Sequence, residues 1–435
     1  MKGEALVLVL LVQLVVIISI ARVASYVSKR LGQPIVVGEI MAGLLLGPSF
    51  LGHYFHGTFT RLFPESTSQY IYVLSQIGMI FLMFVIGLEF DFGKIKSYGR
   101  SAGIISFSGI VLPFGMGYLL GHWMHGYFPQ TNITSFSLFI AAAISITAIP
   151  ILGRIMIEFN LHKTQMGVLT ITAAAIDDIL GWVCLAVVSA IVAAHFDAMM
   201  IVQMLGLTAV FALVTLKVIR PLTIRYMVAA VEKNNGQLDL TTFAILLVTI
   251  FGCAVTTNLI GIFSLFGPFI LGAAIYDQEI LKQAIFHRLK DFVTVFFLPI
   301  FFTYTGLHTD MGSLGSGVMW LVLLALLVVS FSGKFVGCFV AARLSGLDNR
   351  QAACVGIMMN TRALMGLIAA NIGREMGAIT PEVYCMLVIM CALSTVVTWP
   401  ILRRLIPGTE MGEAFEQSEY MQNKRRSLRP AEVPV

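Results

Sequence analysis

The stretch FIAAAISITAIPILGRI, residues 139–155, decides how the rest of the chain is interpreted. It is apolar enough to enter a membrane, but Ser145, Thr147 and Pro150 crowd its middle. Proline cannot donate a backbone hydrogen bond, and it disfavours helix at the residue before it. Interrupted backbone at membrane depth is tolerated only where it is buried in protein or lines a cavity. The stretch therefore predicts a broken helix that faces the interior of a helical bundle.

A second interrupted span, ACVGIMMNTRALMGLIAANIG at 353–373, carries Asn360, Thr361 and Arg362 at similar depth. If the chain is divided into six spans, a linking span and six further spans, each interruption falls in the fifth span of its unit. The two spans then enter the membrane from opposite sides, so the units are inverted. Interrupted helices at matching places of inverted repeats are typical of the binding sites of secondary transporters.

The composition indicates a polytopic membrane protein. Of the 435 residues, 58% are hydrophobic and 12% are charged, whereas about 25% are charged in a typical soluble domain. A span needs about 20 mostly apolar residues. The stretches that qualify are 5–27, 33–51, 70–89, 101–124, 135–158, 165–194, 199–219, 238–257, 260–276, 289–307, 317–342, 351–373 and 382–404. We therefore predict an all-α fold with about thirteen transmembrane helices in two inverted six-helix units.

The basic residues orient these spans. With the N-terminus outside, the loops on the inner side hold almost all lysines and arginines, as the positive-inside rule predicts. Only Lys2, Arg61 and Arg374 then lie in outer segments. The net charge of +5 follows this topology and does not indicate a nucleic-acid partner. We expect a multi-pass protein of the cell (inner) membrane, with a transmembrane domain over 1–407 and a short cytoplasmic tail over 408–435.

Four charged residues lie too deep for their side chains to reach water easily, namely Asp177, Asp178, Lys334 and Arg362. Asp177 and Asp178, in TAAAIDDILGW at 172–182, are neighbours on one helix, so their side chains point about 100° apart. One acid can pair with a cation on another helix while the other faces a water-filled cavity. Lys334 is the available ammonium at matching depth. Two acids and one lysine leave about one uncompensated negative charge, which a monovalent cation or a proton would neutralise.

Other interpretations of these charges stay open at the level of the sequence. A static ion network could hold the bundle together, although a buried pair is weak evidence for stability. Arg362 could do no more than neutralise the carbonyl groups of a broken helix. A cation channel, a sodium-coupled symporter or a sensor without transport could also carry such charges. An intramembrane aspartyl protease is disfavoured, because its two acids must face each other from different helices.

The chain resembles the monovalent cation–proton antiporters of the second, electrogenic branch, and within it the bacterial and plant cation/proton exchanger group. The runs that carry this resemblance cover most of the membrane domain. They are LGQPIVVGEIMAGLLLGPSFLG (31–52), FLMFVIGLEFD (81–91), SITAIPILGRI (145–155), TAAAIDDILGW (172–182), LIGIFSLFGPFILG (259–272), FFLPIFFTYTGLHTD (296–310), FSGKFVG (331–337) and MNTRALMGLIAANIG (359–373).

The resemblance implies exchange of Na⁺, or alternatively K⁺, for protons by alternating access, with no enzymatic activity. It implies that Asp178 holds the ion and the proton in turn and that Asp177 pairs with Lys334 in the ion-free state. Thr147 would supply an oxygen to the ion or cap half-helix dipoles, and Arg362 would compensate charge. A core domain and a dimerisation domain, a homodimer, and no cofactor beyond the transported Na⁺, K⁺ or Li⁺ and protons are also implied.

The chain departs from the exchanger group after its second break. The group usually reads NTRG there, with a glutamate three residues further on. Ala363 and Gly366 stand at those two places in this chain, so any role of that glutamate is absent. The sequence therefore leaves open which cation is carried and how many protons are exchanged for it.

Overall fold

The structure is a computed structural model that describes most of the chain. The described residues are 3–31, 33–89, 92–148, 152–153, 155–156, 159–162, 164–193, 198–261, 264–315, 317–418 and 421. These residues form helices joined by loops, and no strand occurs among them. The predicted all-α fold is therefore confirmed.

The helices of the first half of the chain are α1 (Gly3–Arg30), α2 (Ile35–Leu46), α3 (His56–Leu62), α4 (Glu65–Glu89), α5 (Phe92–Met124), α6 (Ile133–Ser145), α7 (Gln165–Ala193), α8 (Ala198–Val214) and α9 (Arg220–Lys233). The later helices are α10 (Leu240–Ile260), α11 (Phe266–Ala274), α12 (Glu279–Phe292), α13 (Leu298–Leu307), α14 (Gly317–Leu344), α15 (Asn349–Met358), α16 (Ala363–Glu375), α17 (Pro381–Leu405) and α18 (Met411–Glu416). Single π turns extend α2 and join α8 to α9 and α12 to α13, at Pro48–Gly52, Thr215–Ile219 and Val293–Phe297. Short 3₁₀ turns lie at His125–Tyr127 and Met311–Leu314.

Ten helical stretches of the described residues are long and apolar enough to cross a membrane, and each matches one predicted span. The other three predicted spans are short or interrupted. In the fifth span, α6 ends at Ser145, and the twelfth span is divided into α15 and α16. Both interruptions lie where the polar residues predict them. Pro150, which we expect to contribute to the first break, lies outside the described residues.

The ninth predicted span, 260–276, contains a much shorter helix than expected. The helix α11 has nine residues, from Phe266 to Ala274. The preceding helix α10 ends because Gly261 adopts a left-handed conformation with φ of 96°, which glycine accepts at no steric cost. The predicted seventh span, 199–219, is longer than expected, since it continues through a π turn into α9 and ends at Lys233.

The chain divides into two compact units, each assembled from separate segments. The first unit comprises Met1–Val27, Gly38–Phe92 and Ala186–Gly312. The second unit comprises Ser28–Val37, Gly93–Leu185 and Ser313–Val435. Both interrupted spans, the two adjacent aspartates and Lys334 belong to the second unit.

Within the first unit, α4 and α11 pack with their backbones in contact. A β-carbon at Gly87 would lie 2.2 Å from the carbonyl oxygen of Phe269, and one at Gly272 would lie 2.2 Å from that of Phe84. Only glycine permits so close an approach at these two places. Phe84 and Leu271 are fully buried at this contact, within the main apolar core of the unit.

Within the second unit, α14 packs against α15, α6 against α16, and α16 against α17. The first half of each interrupted span has a defined start. Asn132 caps α6 by accepting hydrogen bonds from the Thr134 and Ser135 amides. Asp348 and Gln351 form a reciprocal capping box at the start of α15. Each interrupted span therefore begins at a capped residue and unwinds in its interior.

Candidate functional site

The two interrupted spans meet at their breaks. After α6 ends at Ser145, the chain becomes extended, and the Ala148 amide donates a 2.8 Å hydrogen bond to the Thr361 carbonyl oxygen. The Thr147 hydroxyl donates a 2.7 Å hydrogen bond to the Met359 carbonyl oxygen, just after α15. The ends of helices leave backbone groups without intrahelical partners. Each break therefore satisfies part of the backbone that the other leaves open.

Lys334 and Asp177 form a fully buried ion pair beside this crossing. The Lys334 ammonium lies 2.8 Å and 3.0 Å from the two Asp177 carboxylate oxygens. It also donates a 2.5 Å hydrogen bond to the carbonyl oxygen of Ser145, at the end of α6. The Thr147 amide donates a 2.7 Å hydrogen bond to the same carboxylate. Both members of the ion pair are therefore hydrogen-bonded to backbone groups of the first break.

The carboxylate of Asp178 lacks the hydrogen-bond donors that Asp177 has, although the two residues are neighbours on α7. Its side chain is fully buried, and no described residue donates a hydrogen bond to either carboxylate oxygen. A buried charged group without partners is costly, so it either takes up a proton or binds a cation. The site therefore holds one acid whose charge is compensated and one whose oxygens have no hydrogen-bond donor among the described residues.

Arg362 is fully buried at the second break and binds α14. Its guanidinium donates hydrogen bonds to the hydroxyl and to the carbonyl oxygen of Ser330. Ser330 lies four residues before Lys334, so Arg362 contacts α14 one turn before the position that carries the lysine. Sequence reasoning missed Ser330. The available signal was its i, i+4 spacing from Lys334 in an otherwise apolar helix.

Of the remaining polar residues of the breaks, Ser145 and Thr361 bond to nearby carbonyl groups of the chain, and Asn360 bonds to α14. The Ser145 hydroxyl donates a hydrogen bond to the Ala142 carbonyl oxygen, and the Thr361 hydroxyl donates one to that of Met358. The side-chain amide of Asn360 donates a 3.4 Å hydrogen bond to the Phe331 carbonyl oxygen. The structure therefore brings every predicted residue that it describes into one buried region. Backbone carbonyl oxygens accept these hydrogen bonds, so carbonyl and hydroxyl groups together form the polar network of the region.

The chemistry of this region comes from oxygen atoms. Among the described residues, no group of three or more histidine, cysteine, aspartate or glutamate side chains could hold a metal ion. Among the described residues, the buried side-chain oxygens of this region that lack a hydrogen-bond partner are those of the Asp178 carboxylate and of the Asn360 side-chain amide. One carboxylate in a desolvated site suits a species of one positive charge, whether a proton or a monovalent cation.

Comparisons with known proteins identify a matching family, several relatives and one similar fold. The profile of the family described as "Sodium/hydrogen exchanger, transmembrane" matches residues 15–405. The chain is 36% identical over 411 residues to the Na⁺/H⁺ antiporter NhaS4 of Synechocystis sp., an alignment that covers 92% of this chain and 98% of the other. It is 33% identical to cation/H⁺ antiporter 20 of Arabidopsis thaliana, covering 90% of this chain and 48% of that protein.

A yeast protein and one solved structure extend the comparison. The chain is 30% identical to K⁺/H⁺ antiporter 1 of Saccharomyces cerevisiae, covering 87% of this chain and 44% of that protein. It thus spans about half the length of the plant and yeast relatives. The structure superimposes on the sodium proton antiporter MjNhaP1 of Methanocaldococcus jannaschii with a TM-score of 0.63, covering 93% of this chain and 98% of that one. At 15% identity this likeness establishes the fold alone.

Proposed function

The chain belongs to the sodium/hydrogen exchanger family, and on that premise we propose that it exchanges a monovalent cation for protons across a membrane by alternating access. The observation that carries this proposal is the unequal state of two adjacent acids. Asp177 is paired with Lys334, whereas the buried carboxylate of Asp178 has no donor among the described residues. One open carboxylate can hold a cation or a proton but not both, and this competition couples their movements in opposite directions.

In this proposal the ion pair of Asp177 and Lys334 is the source of a second exchanged proton. In the ion-free state the pair is closed, with the Lys334 ammonium on the carboxylate. A cation that binds at Asp178 draws the neighbouring carboxylate of Asp177 away from Lys334. If the ammonium then releases its proton, two protons move for each cation, and the exchange is electrogenic.

In the same proposal, Thr147 holds neighbouring groups in place, and Arg362 contributes positive charge. The Thr147 hydroxyl donates to the Met359 carbonyl oxygen, which supports the capping role and leaves the lone pairs of the hydroxyl oxygen available to a cation. Its amide meanwhile holds Asp177 in place. Arg362 brings a second buried positive charge to the region, and Ser330 fixes where that charge lies.

Na⁺ is the cation that we propose first, because the relative covered along almost its whole length is named a Na⁺/H⁺ antiporter. K⁺ is the second candidate, because the yeast relative is named a K⁺/H⁺ antiporter. A cation channel and a sodium-coupled symporter differ from both, since neither expels protons in exchange for a cation.

The setting that we propose is a lipid bilayer, with the N-terminus outside, the C-terminus cytoplasmic and a membrane domain over 1–407. The second unit holds all of the described site residues and would be the ion-carrying core. The first unit would provide the dimerisation domain of a homodimer. The family is one of transporters, and we propose neither an enzymatic activity nor a nucleic-acid partner.

The decisive experiment uses purified protein in proteoliposomes that hold a pH gradient. Addition of Na⁺, Li⁺ or K⁺ should collapse the gradient in the wild type, and the order of the three responses gives the selectivity. We expect Asp178→Asn to abolish the response, because an amide carries no charge and cannot take up or release the proton. Asp291→Asn, which changes an exposed acid of α12, is the matched control and should behave as the wild type.

Each unexpected result of this experiment would contradict a different part of the proposal. Equal responses in wild type and Asp178→Asn would contradict the site. Cation flux without proton movement would identify a channel, and the absence of any cation-dependent change in pH would contradict the proposed exchange.

A further inference from the structure

Helix α5 approaches the buried ion pair closely at Gly109. A β-carbon built at Gly109 would lie 3.7 Å from the Lys334 ammonium and 3.8 Å from an Asp177 carboxylate oxygen. It would also lie only 2.6 Å from the sulfur of Cys338. Gly109 is therefore the point at which the backbone of α5 covers the ion pair, and a side chain there would have to displace a buried atom.

Two glycines of α14 extend this close approach on either side of Lys334. A β-carbon at Gly337 would lie 2.7 Å from the carbonyl oxygen of Ser108, and one at Gly333 would lie 3.1 Å from the Cα atom of Pro113. The backbones of α5 and α14 are thus in contact both before and after the lysine. This contact leaves no space for water between the helices at those two positions.

Cys338 fills the space that Gly109 leaves. It lies one turn after Lys334 on α14, is fully buried, and has its sulfur 3.9 Å from the carbonyl oxygen of Ile105 on α5. The thiol of Cys338 on α14 therefore occupies the space that a side chain at Gly109 on α5 would need, and we call these two residues a size-matched pair. Close-packed interiors transmit such local changes of volume to their neighbours.

We propose that Gly109 and Cys338 are positioning residues for the exchange reaction, holding the Lys334 ammonium on Asp177 and closing that side of the ion pair to water. This inference rests on the proposed function, because it assigns the two residues to the step in which a cation at Asp178 separates the pair. An ion pair is stronger in a dry environment than in a wet one. Opening the α5 side weakens the pair, so a cation separates it more easily.

The experiment compares five variants in proteoliposomes, measuring the cation concentration for half-maximal exchange and the maximal rate. We expect Gly109→Ala to lower the half-maximal concentration by about fivefold or more, the scale of a core overpacked by one methyl group. Cys338→Ala alone leaves a cavity beside the ion pair, so it should also lower the half-maximal concentration, but by a smaller factor than Gly109→Ala does. The double variant Gly109→Ala/Cys338→Ala should return to the wild-type value, because removing the sulfur makes room for the methyl group.

Two glycines of the same helix provide matched controls. A β-carbon at Gly103 or Gly115 would meet nothing within 4 Å. Gly103→Ala and Gly115→Ala should therefore leave both kinetic parameters unchanged, although each makes the same substitution six residues away from Gly109.

Three results would overturn the inference: a wild-type half-maximal concentration in Gly109→Ala, a double variant no closer to wild type than Gly109→Ala, or an equal effect in either control glycine. If Gly109→Ala does not fold, a double variant that folds and exchanges supports the size match, and one that also fails contradicts it. A wild type that exchanges nothing refutes the proposed function. The thermal melting temperatures of the same variants, which need no transport, then decide whether the packing pair exists.

Discussion

Asp177 and Asp178 differ in state because of the geometry of one helix. Consecutive residues of α7 point about 100° apart, so only one of the two carboxylates faces Lys334. That carboxylate receives an ammonium and a backbone amide, and the other receives no hydrogen bond from any described residue. Identical side chains at the same depth thus acquire different chemistry from their orientation alone.

Lys334→Gln tests whether the lysine contributes the second proton. An amide keeps a donor for the Asp177 carboxylate but cannot release a proton at neutral pH. We expect the variant to exchange one proton for each cation, so that transport no longer generates a membrane potential, whereas the wild type does. The measurement is the response of a potential-sensitive dye in proteoliposomes during cation-driven proton movement.

Lys334→Arg is the control for charge in this measurement, since it keeps a positive charge that is never lost at neutral pH. We expect it to resemble Lys334→Gln in stoichiometry. A Lys334→Gln variant that remained fully electrogenic would refute the release of a proton by the lysine.

At the scale of elements, the helix that carries both acids is capped by a segment of the chain that follows the last span. The Glu410 carboxylate accepts a hydrogen bond from the Met166 amide in the first turn of α7. A carboxylate at the N-terminus of a helix satisfies a free amide and complements the helix dipole. The side chain of Asn160 donates a 3.3 Å hydrogen bond to the Ala414 carbonyl oxygen nearby.

Aromatic packing holds this segment in place. Phe159 stacks on Trp399 of α17, with ring centroids 3.4 Å apart and planes within 7° of parallel. Phe415 of α18 lies 6.1 Å from the Phe159 ring and is buried. The family profile ends at residue 405, so α18 adds a contact beyond the matched part of the chain.

We expect Glu410→Ala to lower the thermal stability of the detergent-solubilised protein, because loss of a helix cap costs about 0.5–2 kcal/mol. Phe415→Ala should lower it further, since truncation of a buried phenylalanine costs about 3–5 kcal/mol. Thermal melting followed by size-exclusion chromatography measures both changes. Glu413→Ala, which alters an exposed acid of the same short helix, should leave the melting temperature unchanged. A melting temperature in Glu410→Ala equal to that of the control would show that the cap contributes no stability.

At the scale of the whole molecule, one compact unit contains the described site residues, which come from distant parts of the sequence. The described site residues of both breaks, both acids and the buried lysine belong to the second unit, which is assembled from three segments of the chain. The ion pair itself joins residues 157 positions apart. The two interrupted spans bring such separate segments together, because their breaks are hydrogen-bonded to each other.

The proposed topology predicts opposite exposure of two loops. Gln130 precedes α6 and Gln237 precedes α10, and both side chains are exposed. In a background without the native cysteines, a membrane-impermeant maleimide should label Gln130→Cys in intact cells and Gln237→Cys only in inverted vesicles. Labelling of both residues from the same side would mean that the number of spans between them is even, contrary to the proposed orientation.

The amino-acid sequence by itself determined the membrane class, most of the spans, the two breaks and the four deeply placed charges. These properties depend on local composition: apolar length fixes a span, and polar residues with proline interrupt one. The end of α10 at Gly261 was not foreseen, because a left-handed glycine ends a helix through backbone conformation rather than hydropathy.

Only the tertiary structure decided which side chains meet. From the residues alone, either acid could have faced Lys334, and the assignment to Asp177 came from resemblance. Ser330, Gly109 and Cys338 are ordinary small residues of apolar helices in the sequence, and their contacts with Arg362, Lys334 and Asp177 exist only where helices cross. The physical reason is that hydropathy records how deep a residue lies, whereas contact depends on the rotation and close approach of helices distant in the chain.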